Sequence, residues 1–339
     1  MVFKNLKNLI PVENELYEKL KGTYRKSWFS NNMIQQTAGS LFSELKKMGI
    51  CPVLLKGIHL INSYYDDTAS RPLGDADFLV SWEQAASVDG HLRSSGWKLQ
   101  AKPRYFGFAE NSMLAAHGFM YINEKGHVCD LHWNIMAHRL YPDADKEMVK
   151  NSVKIAFMGD TFGALCPEDL VLHLLEHGAY GSPVPSIRWV QDVLTVLKKE
   201  KDIDWDRFLT NTLHTNLEVP VKVMLEYLLN TFNAEQIAYP LKRLAAFPAS
   251  KMGKALYRSM LPRRNPIGRS INEYRKIYFQ YRLFITAYKK ESLPGGISGF
   301  IRCLKFRWDV KSNILFPFVF TVKFFQKFVR YILRFLKQR

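Results

Sequence analysis

The sequence predicts an α+β fold: a small mixed β-sheet with flanking helices, followed by a helical bundle and a basic helical C-terminal module. Three observations carry this expectation. Short apolar runs bounded by turn residues alternate with helical patterns through the first part of the chain. Beyond Cys166 the hydrophobic period is helical throughout. From Lys251 to Arg339 there are 21 Lys/Arg against three acids, whereas residues 1–250 carry 27 against 28, so the net charge of +17 belongs to the C-terminal part. A chain of 339 residues has room for about two cored domains. The expected units are 1–160, 161–260 and 261–339.

The elements follow in order. Asn31–Met48 is helical in period through Met33, Ala38, Leu41 and Leu45, and Gly49 is placed to end it. Pro52–Leu55 reads as a short buried strand, and Lys56-Gly57 as a turn into a short helix through Leu60 and Tyr64. Tyr65–Ser70 is polar loop, and Leu73–Val80 is a strand that carries Asp75 and Asp77. Ser81-x-x-Gln84 has the form of a capping box opening a helix that Gly96 closes. Trp97–Leu99 is another strand, and Phe119–Ile122 with His127–Ile135 a hairpin turning at Asn123–Gly126. Pro167-Glu168-Asp169 suits the first turn of a helix. Further helices run Ile187–Lys198, Trp205–Leu213 with Asp204 as N-cap, and Val219–Phe232. A Pro-, Arg- and Gly-rich loop, Leu261–Ser270, separates this bundle from the basic module.

Composition excludes several classes. Apolar content of 47% and charged content of 23% are globular values, not those of a disordered chain. Cys51, Cys129, Cys166 and Cys303 lie far apart without a C-x-x-C pair, which speaks against a zinc site or disulfide framework and for a reducing compartment. Met1–Lys19 lacks the apolar segment of a secretory signal. Near the end, the charge-free apolar stretch Asn313–Val322 is half the ~20 residues a spanning helix needs. The expected location is cytoplasmic, peripheral at the inner face of the membrane.

Asp75-Ala76-Asp77 places two carboxylates on one face of a strand. Side by side they repel, and burying either without a partner is costly. A divalent cation such as Mg²⁺, with Mn²⁺ as the alternative ion, resolves both problems and bridges to substrate phosphates. In His127–Trp133, Val128, Asp130 and His132 share a face. Asp130 beside apolar neighbours needs a partner, and a metal shared with Asp75 and Asp77 supplies one. Three carboxylates from adjacent strands suit two-metal phosphoryl or nucleotidyl transfer. Set against this, an acidic pair near a turn is often merely solvated, and Asp130 could serve a neighbouring Arg or His.

Leu55-Lys56-Gly57, Arg71-Pro72 followed by Asp75-Ala76-Asp77-Phe78-Leu79-Val80, and Asp130-Leu131-His132-Trp133 occur in that order. His173, His177-Gly178, Arg188-Trp189 with Asp192, and Asp204-Trp205 follow in the helical part. Over roughly residues 30–215 this set resembles the polymerase-β-like nucleotidyltransferase superfamily, and within it a bacterial branch of uncharacterised nucleotidyltransferases. The resemblance implies that Asp75, Asp77 and Asp130 are the catalytic and metal-binding carboxylates and that Lys56-Gly57 occupies the triphosphate turn. The superfamily's usual turn is Gly-Ser or Gly-Gly, so here a Lys charge stands in. Arg71 either pairs with Asp75 or Asp77 or contacts phosphate. His132, His177 and Trp189 fall on the acceptor side, and Asp192 reads as a structural ion-pair partner one turn after Arg188.

At the C-terminus, Lys323, Lys327, Arg330, Arg334 and Lys337 recur at helical spacing beside Phe324, Phe325, Phe328, Ile332, Phe335 and Leu336. A basic stripe next to an apolar face fits an anionic membrane surface. Packing on the protein's own body, or nucleic acid, are the other readings, the last the least favoured. The function expected is a metal-dependent nucleotidyltransferase that moves an NMP unit from an NTP donor to an unidentified acceptor (a small molecule, a glycan precursor or a protein) and releases pyrophosphate. The alternatives are a glycosyltransferase holding a metal–nucleotide-sugar through Asp-x-Asp, and a nucleotide-binding protein without turnover.

Overall fold

The computed structural model describes residues 2–100, 113, 116–180, 187–261, 266–288, 296–308 and 310–336. Helices α1 (Val2–Leu6) and α2 (Glu15–Lys47) precede β1 (Val53–Leu54), α3 (Lys56–Ser63), β2 (Ala76–Leu79), α4 (Ala85–Ser94), β3 (Lys98–Leu99), β4 (Gly118–Ile122) and β5 (Val128–His132). There follow α5 (Lys146–Lys150), β6 (Val153–Phe157), β7 (Asp160–Ala164), α6 (Pro167–Tyr180), α7 (Arg188–Lys199), α8 (Trp205–His214) and α9 (Glu218–Phe232). Helices α10 (Ala238–Ala246), α11 (Lys251–Met260), α12 (Pro266–Tyr288), α13 (Gly296–Arg307) and α14 (Leu315–Leu336) complete the chain. The fold is the expected α+β arrangement. None of the described helices is long and apolar enough to cross a membrane.

The seven strands form one mixed sheet in the order β3-β4-β5-β2-β1-β7-β6. At its centre β2 runs parallel to β5 and antiparallel to β1. Alternation along the strands divides the core. Leu54, Ala76, Phe78, Cys129 and Leu131 face a cluster completed by Ile34, Ala38, Leu41, Phe42 and Leu45 of α2. Val53, Leu55 and Leu79 face the other cluster, which continues into α6, α7 and α8 through Leu174, Val193 and Phe208. Asp77 and Asp130 therefore project from the sheet face that the helical bundle covers.

Several elements differ from expectation, each for a physical reason. Helix α2 starts at Glu15, capped by Asn14, whose side chain accepts from Leu16 N at 2.9 Å. Its first half is mostly solvent-facing, so apolar periodicity marks only the buried half. The Ser81/Gln84 motif makes a turn, with Gln84 N 3.4 Å from Ser81 Oγ, and α4 begins after it at Ala85 without a side-chain cap. The strand expected at His127–Ile135 stops at His132. The hairpin β6–β7 was not expected at all. It turns at Met158 (φ 50°) and Gly159 (φ 83°), the double positive φ that two-residue hairpins require, and the alternation of Val153, Ile155 and Phe157 was its signal. Helix α12 starts at Pro266, inside the loop expected at Leu261–Ser270; residues 262–265 lie outside the described residues. Of the C-terminal stripe, Lys337 and the side chains of Phe324, Lys327, Phe328, Arg330, Ile332, Arg334, Phe335 and Leu336 also lie outside them.

Candidate active site

Register brings the carboxylates together. Parallel pairing of β2 and β5 sets Asp77 opposite Asp130 and Leu79 opposite His132. His132 Nε2 lies 3.2 Å from Asp77 Oδ1 and 3.2 Å from Asp130 Oδ2. Lys56 Nζ donates to Asp77 Oδ1 at 2.8 Å. Asp75 stands one step before β2 on the same face. Asp77, Asp130 and His132 have ligand atoms all within 4.8 Å of one another, as a metal centre requires, while Asp75 falls outside that group. His132, expected among acceptor-side residues, lies between two of the three acids.

Electrostatics follow from this crowding. Burial pushes the Asp77 carboxyl up, but the Lys56 charge and the His132 hydrogen bond outweigh it and hold the group far below the usual range. Burial and the charge of Asp77 push Asp75 up to about 6. For Asp130, burial is again outweighed, here by the charge of His132, and the carboxyl is lowered. His132 is raised to about 9: burial opposes its charge, and Asp130 overcomes burial. Three carboxylates thus share two cations, Lys56 and His132, in the metal-free protein.

Lys56 is the first residue of α3 and has φ 37°, a left-handed conformation that favours glycine. It occupies the first position of the turn where the resembled superfamily has glycine. Gly57 is constrained by space: a Cβ there would lie 2.5 Å from Leu73 Cδ2 and 2.8 Å from Arg71 Nη1. Arg71 pairs with neither Asp75 nor Asp77. Its Nε and Nη2 donate to the two carboxylate oxygens of Asp192 at 2.8 and 2.9 Å, and Tyr65 OH donates to Asp192 Oδ1 at 2.7 Å. The structural ion pair expected for Asp192 therefore exists, with Arg71 of the site loop as a partner. Asn31 of α2 clamps the same loop, donating to Arg71 O at 2.8 Å and accepting from Leu73 N at 2.9 Å. Sequence reasoning missed Asn31 and Tyr65, because neither carries a motif and both act through distant partners.

Helix α6 forms the facing wall. His177 is solvent-accessible, and its pKa is lowered by desolvation ahead of the Lys56 charge. His173, one turn earlier, is buried with neither ring nitrogen hydrogen-bonded to protein. Glu176 accepts from Ala137 N at 3.1 Å and so ties α6 to the segment after β5. A Cβ on Gly178 would lie 2.6 Å from Trp189 Cγ. Gly178 and Trp189 thus pack α7 closely on α6, with the Trp189 ring 6.2 Å from that of Tyr227. His117 packs 5.0 Å from the His132 ring, and burial pushes it down to about 3, aided by the His132 charge.

Acids on neighbouring strands, a cation-bearing turn at a helix start and the nearby histidines of α6 form an arrangement suited to metal-assisted chemistry on phosphates. Comparison with known proteins bears on it. No curated protein matches the chain. Among solved structures, an antigenic nucleotidyltransferase-like protein from Paracoccidioides brasiliensis is similar at 13% identity and a TM-score of 0.40, over 63% of this chain and 94% of that one. A family model matches residues 1–233, which contain the whole sheet, α6 and every residue of the site just described. On that match the chain belongs to the family described as uncharacterised nucleotidyltransferases.

Proposed function

We propose that this protein moves an NMP unit from an NTP to an acceptor hydroxyl or phosphate, with release of pyrophosphate. The observation that carries the reading is the register of Asp77 against Asp130, with Lys56 beside Asp77 at the start of α3. Asp75, Asp77 and Asp130 would hold divalent metal, Mg²⁺ or Mn²⁺, which neutralises charge on the phosphates and on the reacting oxygens. The donor set fits, because among the described residues the buried Asp77 and half-buried Asp130 carboxylates take their partners from the cations Lys56 and His132. Lys56 moves from Asp77 to the β- or γ-phosphate, and the free amides at the start of α3 add donors. Arg71, locked to Asp192, holds the loop that carries Asp75. The acceptor enters past His177, with Trp189 behind it. Its oxygen bonds to the α-phosphorus as the bond to the pyrophosphate oxygen breaks, and an acceptor hydroxyl passes its proton to Asp130.

Family membership favours this over sugar transfer, and the intact acids favour turnover over mere binding. The test is pyrophosphate release from each NTP with Mg²⁺ or Mn²⁺. Asp75→Asn with Asp77→Asn should abolish it, and unchanged release would overturn the assignment. Thermal-shift comparison of NTPs with nucleotide sugars separates the donor classes.

A second reading concerns α14. Leu315, Phe318, Phe325, Val329 and Leu333 are each at least 50% exposed and fall within an arc of about 80° on the helix. By sequence position the Lys and Arg residues fill the adjoining sector. An apolar stripe beside a basic one suits the surface of an anionic membrane. Deleting residues 316–339 should abolish co-sedimentation with phosphatidylserine vesicles, and retained binding would sink this reading.

A further inference from the structure

We propose that Asp77, Asp130 and His132 together form an inner coordination site whose imidazole nitrogen favours a first-row transition ion, Mn²⁺, over Mg²⁺. The inference rests on the nucleotidyl-transfer reading and deepens it by naming the third ligand and the class of ion. Among the described residues these three form the group whose donor atoms all lie within 4.8 Å of one another. His132 Nε2 is 3.2 Å from an oxygen of each acid. Donor atoms gathered this closely would hold one first-row ion bound by nitrogen and oxygen.

The two cations that face Asp77 differ in freedom. Lys56 hangs on a flexible four-carbon stem and can leave for phosphate. The His132 ring is completely buried, on a strand paired on both sides, with Leu79 and with Gly118. The backbone of Gly118 passes so close that a Cβ there would lie 3.1 Å from His132 Nδ1 and 2.6 Å from Leu131 O. His117 flanks the ring at 5.0 Å. The imidazole is therefore fixed where it is, and an ion bonded to both carboxylates meets its Nε2. Mg²⁺ takes oxygen ligands and gives up water reluctantly; Mn²⁺ also prefers oxygen but, as a larger transition ion, loses less than Mg²⁺ when one ligand is an imidazole.

The test is Mn²⁺ added to the full chain without nucleotide, read by electron spin echo envelope modulation. Bound Mn²⁺ should show ¹⁴N coupling that changes to the ¹⁵N pattern in protein labelled with [¹⁵N]histidine. His132→Gln should remove the coupling. Competition should give Mn²⁺ at least tenfold tighter binding than Mg²⁺ in the wild type, narrowed severalfold in His132→Gln. The isotope arm needs no variant, so it stands even where His132→Gln folds poorly. Bound Mn²⁺ without nitrogen coupling, or Mg²⁺ bound as tightly as Mn²⁺, overturns the inference. NTP·Mg²⁺ binding without nitrogen coupling overturns it alone. Nitrogen coupling with no NTP binding would leave this site standing and sink the transfer reading.

Discussion

Lys56 and Asp77 form a buried ion pair, Nζ to Oδ1 2.8 Å, between the first residue of a helix and the middle of the adjacent strand. The lysine holds this place with φ at 37°, so backbone strain and charge compensation meet in one residue. That combination separates two contributions which substitution can read independently.

Removing the charge on either side leaves the other buried and poorly compensated, Asp77 by His132 alone and Lys56 by the charges of Asp130 and Asp75 without a direct partner. Lys56→Met and Asp77→Asn should each destabilise the metal-free protein by about 3 kcal/mol. The double variant should lose less than the sum, which a double-mutant cycle in urea measures. Within the charge-free series, Lys56→Gly should be more stable than Lys56→Ala by about 0.5–1 kcal/mol, the reverse of helix propensity, because only glycine adopts this φ without strain.

Gly57 carries a steric constraint. In Gly57→Ala the new methyl meets Leu73 and an Arg71 guanidinium that Asp192 holds in place. A loss of about 1–3 kcal/mol is expected, together with weaker NTP binding, since the loop before Asp75 must shift. Wild-type NTP affinity in the alanine variant would refute the link to binding.

The Arg71–Asp192 pair spans 121 residues of sequence and joins the site loop to α7. Asp192→Asn should cost about 3–5 kcal/mol, because it strands a buried guanidinium. Tyr65→Phe, which removes one hydrogen bond to the same carboxylate, should cost only about 1 kcal/mol. Denaturant midpoints of the two variants test the ordering.

His132 makes stability depend on pH in a defined direction. Its folded pKa is raised from 6.5 to about 9, so its stabilisation is fully present below pH 6.5 and is lost as pH rises through about 9. Asp75, raised from 3.8 to about 6, acts in a lower window: its contribution is complete below about pH 4 and lost by about pH 6. Metal-free protein should therefore weaken between neutral pH and pH 9.5, and His132→Gln should flatten that slope. Thermal melts across the range check it.

Legibility differed between the fold and the site. The strands carrying Asp77 and Asp130, and the helix of His177, were readable because period and punctuation are local. The half-exposed α2 was cut short, since its solvent-facing turns have no apolar stripe. The β6–β7 hairpin was overlooked, although its alternation and Gly159 were visible. For Arg71 the sequence left two readings open, a pair with Asp75 or Asp77 and a phosphate contact, and Asp192 was not among the partners considered, because charge alone does not name a partner.

By itself the sequence determined the α+β class, the strand faces and the acids that share them, because a strand's side-chain period is fixed at two wherever it lies. Only the tertiary structure decided that Asp77 sits opposite Asp130, that His132 stands between them and that Lys56 adopts a strained φ to reach Asp77. These depend on strand order and register, which are set by burying both sheet faces at once and by hydrogen bonds between segments far apart in the chain.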